Sequence, residues 1–207
     1  GGVVLFSDEK HPFLRILCGG VIINTNLVGS YNADNVMAAI AVGVHFGVSF
    51  EDAVKAIEAY VPANKRSQMT RTERNTLIVD AYNANPTSMA AALENFSNVS
   101  ADCKVALLGD MLELGEESLA EHVAVIKSAC SRGLANVYFV GKEFQVASGA
   151  IASELGTEAA AQLLSNAYFF STSDELAAHL ASDHLSGATI LIKGSRGTRM
   201  EKVIPAL

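Results

Sequence analysis

A chain of 207 residues, half of them hydrophobic and 18% charged, has enough apolar material for one large core, or for one domain plus part of another. Its formal net charge of -7 is the wrong sign for a protein that grips nucleic-acid phosphates without regard to sequence, although one local nucleotide site stays open. Cys18, Cys103 and Cys130 are odd in number, far apart and without C-x-x-C spacing, so reduced thiols and a cytoplasmic location are expected, and no window nears the ~20 apolar residues of a membrane span.

The opening Gly1-Gly2, without an initiating Met or a signal-like region, reads as an expression scar or a cut chain rather than a natural terminus. Apolar runs at 3–6, 14–17 and 21–24, separated by polar or Gly-containing turns, predict three short strands. Val36, Ala39, Ile40, Val42, Gly43 and Phe46 recur at helical spacing and predict a helix over 32–46 with Asn32 as its cap. Ala53, Val54, Ile57 and Tyr60 predict a second helix over 50–60, capped by Ser49. The stretch 61–67, Val-Pro-Ala-Asn-Lys-Arg-Ser, breaks that pattern and predicts a domain boundary, dividing the chain into 1–63 and 64–207.

Beyond it, strands at 76–80, 104–109, 136–140, 167–170 and 188–193 alternate with helices at 86–96, 117–131, 143–154 and 173–182. Alternation of this kind implies βαβ units with right-handed crossovers, hence an α/β, Rossmann-like domain with a mostly parallel sheet. The Ala-rich stretch 147–161 leaves helix ends undecided.

Several stretches carry residues suited to chemistry. Gly29-Ser30-Tyr31-Asn32-Ala33-Asp34-Asn35 opens a helix with two carboxamides on one face. A carboxamide offers the donor and the acceptor that an adenine edge requires, but Asn32 could equally cap the helix while Asn35 is solvated. Arg66 is either a solvated linker residue or a bidentate phosphate ligand, a task for which Lys65 would be a poor substitute. Asp80 closes a strand, where a carboxylate either caps a turn or accepts from ribose hydroxyls. In the string that follows, Asn85-Pro86 is a helix-entry signal with Asn85 as cap, while Asn83 is open to a ligand role.

Leu108-Gly109-Asp110-Met111-Leu112-Glu113-Leu114-Gly115 also follows a strand, so Asp110 and Glu113 either bind a substrate ammonium or belong to a turn that caps the next helix. His122, within that helix, is read as a packed or surface residue. The last strand runs into Gly194-Ser195-Arg196-Gly197-Thr198-Arg199, an anion cradle or else a surface loop whose arginines pair with Glu201 or Asp183. A phosphate loop of the G-x-x-x-x-G-K-[ST] form is nowhere in the sequence.

The strings at 29–35, 80–86 and 108–115 together resemble those of the Mur ligases, the ATP-dependent amide ligases of peptidoglycan synthesis, and within them the type that adds D-alanyl-D-alanine. The resemblance runs along nearly the whole chain but covers only the C-terminal half of such an enzyme. It implies that 1–63 is the tail of the central ATP-binding domain and 64–207 the complete C-terminal Rossmann-like domain. It implies ATP and Mg²⁺ as cofactors, with the Mg²⁺ ligands, the phosphate loop and a carbamylated lysine upstream. UDP-MurNAc-tripeptide and D-Ala-D-Ala are the implied substrates, joined through an acyl phosphate by an intact enzyme that is monomeric and needs neither nucleic acid nor membrane. Residue by residue, it puts Asn32 and Asn35 on adenine, Asp80 near the ribose and Arg66 on the terminal phosphates as the catalytic arginine. Asn83 would face the inter-domain cleft, Asp110 and Glu113 the dipeptide amine, and Ser195, Arg196 and Arg199 its carboxylate. Without a phosphate loop the chain by itself is expected not to catalyse ligation. The alternatives are another Mur or folylpolyglutamate synthetase-type ligase, or a non-catalytic Rossmann-like binding module.

Overall fold

The computed structural model describes residues 2–5, 13–62 and 68–207. Its first part is an antiparallel sheet of β1 (Gly2–Leu5), β2 (Arg15–Cys18) and β3 (Val21–Asn24), in that order. One face of this sheet packs Ile16 and Ile23 against Val36 and Ile40 of α1 (Asn32–His45) and Ala53 and Val54 of α2 (Phe50–Ala59). Ser49 caps α2 as expected, its hydroxyl accepting from the Asp52 N–H at 3.1 Å. Asn32 does not cap α1. Tyr31 holds that position, because the Gly29–Ser30 turn already takes the first amides: Asn32 N–H donates to the Gly29 carbonyl and Ala33 N–H to that of Ser30. The Asn32 carboxamide instead donates back to the Val28 carbonyl at 2.9 Å.

The second part is a six-stranded sheet in the order β4-β5-β9-β6-β7-β8. β5 (Thr76–Asp80), β6 (Lys104–Gly109), β7 (Asn136–Val140), β8 (Ala167–Phe170) and β9 (Thr189–Lys193) are mutually parallel. The edge strand β4 (Gln68–Arg71) runs antiparallel to β5 and was not foreseen, since four residues with one apolar side chain carry no periodic signal. Helices α3 (Pro86–Ser97), α4 (Ser118–Cys130) and α5 (Lys142–Leu155) cover one face, burying Met89, Leu93, Phe96, Ile126, Phe139 and Phe144. α7 (Ser173–Ser182) and a 3-10 segment, Met200–Ala206, cover the other over Leu77, Leu107, Leu176, Leu180 and Val203. The Ala-rich stretch resolves into α5 and a separate α6 (Thr157–Leu163), split at Gly156, whose φ of +79° no helix continues through.

This arrangement places the site. β5 and β6 lead into helices on one face, whereas β9, lying between them, leads into the 3-10 segment on the opposite face. Chains that leave neighbouring strands toward opposite faces open a crevice at the carboxyl ends, the usual ligand position in such sheets.

Candidate functional site

Asp80 and Lys193 end adjacent parallel strands and are register partners. Lys193 is only 1% exposed, and its Nζ donates to Asp80 Oδ2 at 2.6 Å and to the Asn83 carbonyl at 3.3 Å. Nothing local in the sequence marks this lysine, because a basic residue ending an apolar run looks like the solvated end of a strand. Asn83 is exposed and its side-chain carbonyl accepts from the next N–H, Ala84, at 2.9 Å. Asn85 caps α3 as expected: its side chain accepts from Ser88 N–H while Ser88 Oγ accepts from Asn85 N–H, a reciprocal capping box.

Ser195 ties the three loops of this edge together. Its hydroxyl accepts from Leu112 N–H at 2.9 Å and donates to the Ala84 carbonyl at 3.3 Å, while its own N–H donates to the Asp110 carbonyl at 3.1 Å. The side chain is thus committed within the protein and 3% exposed, a structural joint rather than an open arm of an anion cradle.

Asp110 is likewise built in. Its carboxylate accepts from the Glu143 and Phe144 N–H groups, each at 3.0 Å, and so caps α5 from across the sheet. Gly141, at φ +125°, is required beneath it, since a Cβ there would overlap the carboxylate. Burial pushes the Asp110 carboxyl above its ordinary range, with the hydrogen bonds from the two α5 amides pulling the other way. The fully buried His122 accepts from Met111 N–H through Nε2 at 3.0 Å, and its Nδ1 lies 2.7 Å from the Ser118 carbonyl. That pairing assigns the proton to Nδ1 and a neutral ring, which the edge of Phe144 packs against at 4.6 Å between centroids. His122 therefore holds the 110–115 loop in place from within the core. Glu113 is exposed at φ +69°, and Arg196 and Arg199 are exposed, Arg199 at φ +51°.

Two clefts flank these loops. The first, about 140 Å³, lies between the small sheet and α3, with Val4, Leu14, Val28 and Phe96 as apolar wall and Gly29, Ser30, Tyr31 and Asp80 as polar rim. Ser30 donates from N and Oγ to the Asn95 carboxamide oxygen at 3.2 and 2.7 Å, joining the α1 entry to α3. Asn32 and Asn35 follow on one face of α1, and the Asn35 carboxamide donates to Asn32 Oδ1 at 3.4 Å. The second cleft, about 340 Å³, opens between Asp110, Leu112, Lys142, Ser173, Arg199 and Lys202. Lys202 is paired with Asp174 at 2.6 Å. Arg66 lies outside the described residues. Among the described residues no group of three or more His, Cys, Asp or Glu is placed to hold a metal ion, and no helix is long and apolar enough to cross a membrane.

The family model "Mur ligase, glutamate ligase domain" matches residues 65–196, which takes in the whole six-stranded sheet and the loops after β5 and β6, ending within the loop after β9. The UDP-N-acetylmuramoyl-tripeptide--D-alanyl-D-alanine ligase of Treponema pallidum is 34% identical over 203 residues, covering 97% of this chain and 42% of that protein. The ligase of the same name from Escherichia coli is 34% identical over 196 residues, covering 94% and 40%. A crystal structure of MurF from Acinetobacter baumannii matches with a TM-score of 0.79 at 27% identity, over 98% of this chain and 43% of its own. MurF from Thermotoga maritima in complex with ADP matches in fold, with a TM-score of 0.72 at 20% identity. The chain thus spans about two fifths of the length of these proteins. With the mostly parallel sheet, the loops gathered at its carboxyl edge and a domain match over most of its length, this chain belongs to the Mur ligase family.

Proposed function

We propose that this chain is the C-terminal part of an ATP-dependent ligase that joins D-Ala-D-Ala to UDP-MurNAc-tripeptide in the cytoplasm. In this reading residues 1–63 close the central ATP-binding domain and 64–207 form the domain that receives the dipeptide. The observation that carries it is the first cleft: Gly29–Tyr31, from the α1 entry, and Asp80, from the end of β5, wall the same crevice. Its apolar wall suits a base and its carboxylate suits vicinal ribose hydroxyls, so the residues present fit one end of a nucleotide. At about 140 Å³ it holds only part of ATP. The phosphates, Mg²⁺ and the Mg²⁺ ligands are assigned to the upstream portion, with Arg66 reaching the terminal phosphates and Asn32 and Asn35 the adenine edge.

ATP supplies the phosphoryl group that activates the tripeptide carboxylate as an acyl phosphate, leaving ADP, and attack of the dipeptide amine on the acyl carbon forms the amide and expels inorganic phosphate. Toward that step, the second cleft offers Arg199 and Lys142 for the dipeptide carboxylate, with Arg196 on the same loop. Glu113, exposed at the mouth of the 110–115 loop, is the acid proposed for the amine, since both Asp110 oxygens already accept from α5. The test is phosphate release by the intact protein. Release is expected only when ATP, UDP-MurNAc-tripeptide and D-Ala-D-Ala are all present, with none from the 207-residue chain alone. Equal turnover with L-Ala-L-Ala, or with glutamate as amine donor, would overturn the D-Ala-D-Ala assignment.

A further inference from the structure

We propose that Lys193 is a positioning residue for the nucleotide: it fixes the Asp80 carboxylate, and the turn that follows, at the wall of the first cleft without itself touching the ligand. The inference rests on Asp80 being the nucleotide contact put forward above. β9 reads Thr-Ile-Leu-Ile-Lys, and its last four residues are buried, the lysine among them. A buried ammonium is costly unless it is paired, and here its neighbours are a carboxylate at 2.6 Å and a backbone carbonyl at 3.3 Å. An aliphatic side chain would serve a central strand as well. What it would not supply is a cation behind Asp80.

The pair is asymmetric in a telling way. The Lys193 side chain is 2% exposed and that of Asp80 15%, so the ammonium is sealed behind the carboxylate and the carboxylate reaches the cleft. With Oδ2 bound to Lys193, Oδ1 is left for a ligand, and the rotamer that presents it is held from behind. The second contact, to the Asn83 carbonyl, pins the turn between Asp80 and the α3 cap at Asn85. The same loop is held one residue further on by Ser195, whose hydroxyl meets the Ala84 carbonyl. Lys193 and Ser195, two residues apart on one strand end, thus set both sides of this turn.

The experiment is steady-state kinetics on the intact ligase for Lys193→Met, Asp80→Asn and the double variant, with thermal melting to check folding. Loss of a charge-assisted hydrogen bond predicts a rise in KM for ATP of roughly ten- to hundredfold in Lys193→Met, with KM for D-Ala-D-Ala within about twofold. Because the lysine acts through Asp80, the double variant should be no worse than Asp80→Asn alone. If Lys193→Met does not fold, Lys193→Gln, which keeps donors at nearly the same reach, should fold with an intermediate KM for ATP. A wild-type KM for ATP in the folded variant, or additive effects in the double variant, overturns the inference while leaving the function standing. An intact protein that ligates nothing at the expense of ATP overturns the function and this inference with it.

Discussion

In the sheet of residues 68–207 both faces are covered, α3, α4 and α5 on one side and α7 with the Met200–Ala206 segment on the other. In the sheet of residues 2–24 one face is covered and the other presents Val3, Leu17 and Ile22 outward. The contrast extends to the helices: the inner stripe of α1 is buried, yet Val42 is 56% and Phe46, just past its end, 80% exposed. Continuous apolar strands suit a sheet buried twice, whereas an antiparallel sheet with one wet face ordinarily alternates. Here the open face is apolar as well, and apolar surface of this kind marks contact with something else. The larger unit is therefore expected to carry the stability of the chain, and the smaller one to depend on what it packs against.

The largest effect should come from the double-faced core. Phe139 is fully buried among Phe144, Phe169 and the α3–α5 side chains, and Phe139→Ala should cost about 3–5 kcal/mol by urea denaturation. Ile23→Ala removes an equally buried side chain from the small cluster, where open surroundings can relax around the gap, and should lie near the ~2 kcal/mol lower end of such substitutions. Limited proteolysis should cut within residues 13–62 before 68–207. An Ile23→Ala cost equal to that of Phe139→Ala, or early cleavage in the large sheet, would break the comparison.

A middle-sized effect should come from the cap that joins β6 to α5. Asp110→Asn leaves one oxygen to accept from two amides and turns an NH₂ toward one of them, which should cost about 1–3 kcal/mol. Its pH dependence has a definite sign. The carboxyl is held above the ordinary value of 3.8, so the folded state binds that proton more tightly than the unfolded state does. The resulting stabilisation is full below the ordinary value and is lost as pH rises through the folded one. The gap between wild type and Asp110→Asn should therefore narrow as pH climbs from about 3 toward neutrality. A gap that widens over that range would mean that the α5 amides outweigh burial.

The uneven legibility of this molecule follows from the reach of its contacts. β5 to β9 were readable because each is a run of apolar residues, and the α3 entry because Asn-Pro and its cap are neighbours in the chain. Gly156 ends α5 with a backbone angle that only the folded chain displays, inside a stretch whose composition suits either outcome. The roles of Asp110, Ser195 and Lys193 were not readable, since their partners lie 33 to 113 residues away in sequence. Local spacing marked 108–115 and 194–199 as loops rich in chemistry. Which of their side chains face a ligand, and which bolt the loops together, is decided by long-range register. Glu113 and Arg199 are left exposed, whereas Asp110 and Ser195 are taken up by partners within the protein.

The smallest effect in the isolated chain should become a large one in the intact protein, and that reversal tests the comparison most sharply. Phe46 is 80% exposed, its ring meeting His45 edge-on at 5.1 Å between centroids. With so little burial to lose, Phe46→Ser should change the stability of the 207-residue chain by no more than about 0.5 kcal/mol. Should upstream residues cover this face, as the chain's two-fifths share of its relatives leaves room for, the ring would be buried there. The same substitution would then cost about 3 kcal/mol or more in the intact protein. Thermal melts of both forms, with and without the change, give the difference directly. Equal small effects would leave Phe46 as an isolated surface ring and would locate any covering contact elsewhere, on the outer face of β2 and β3.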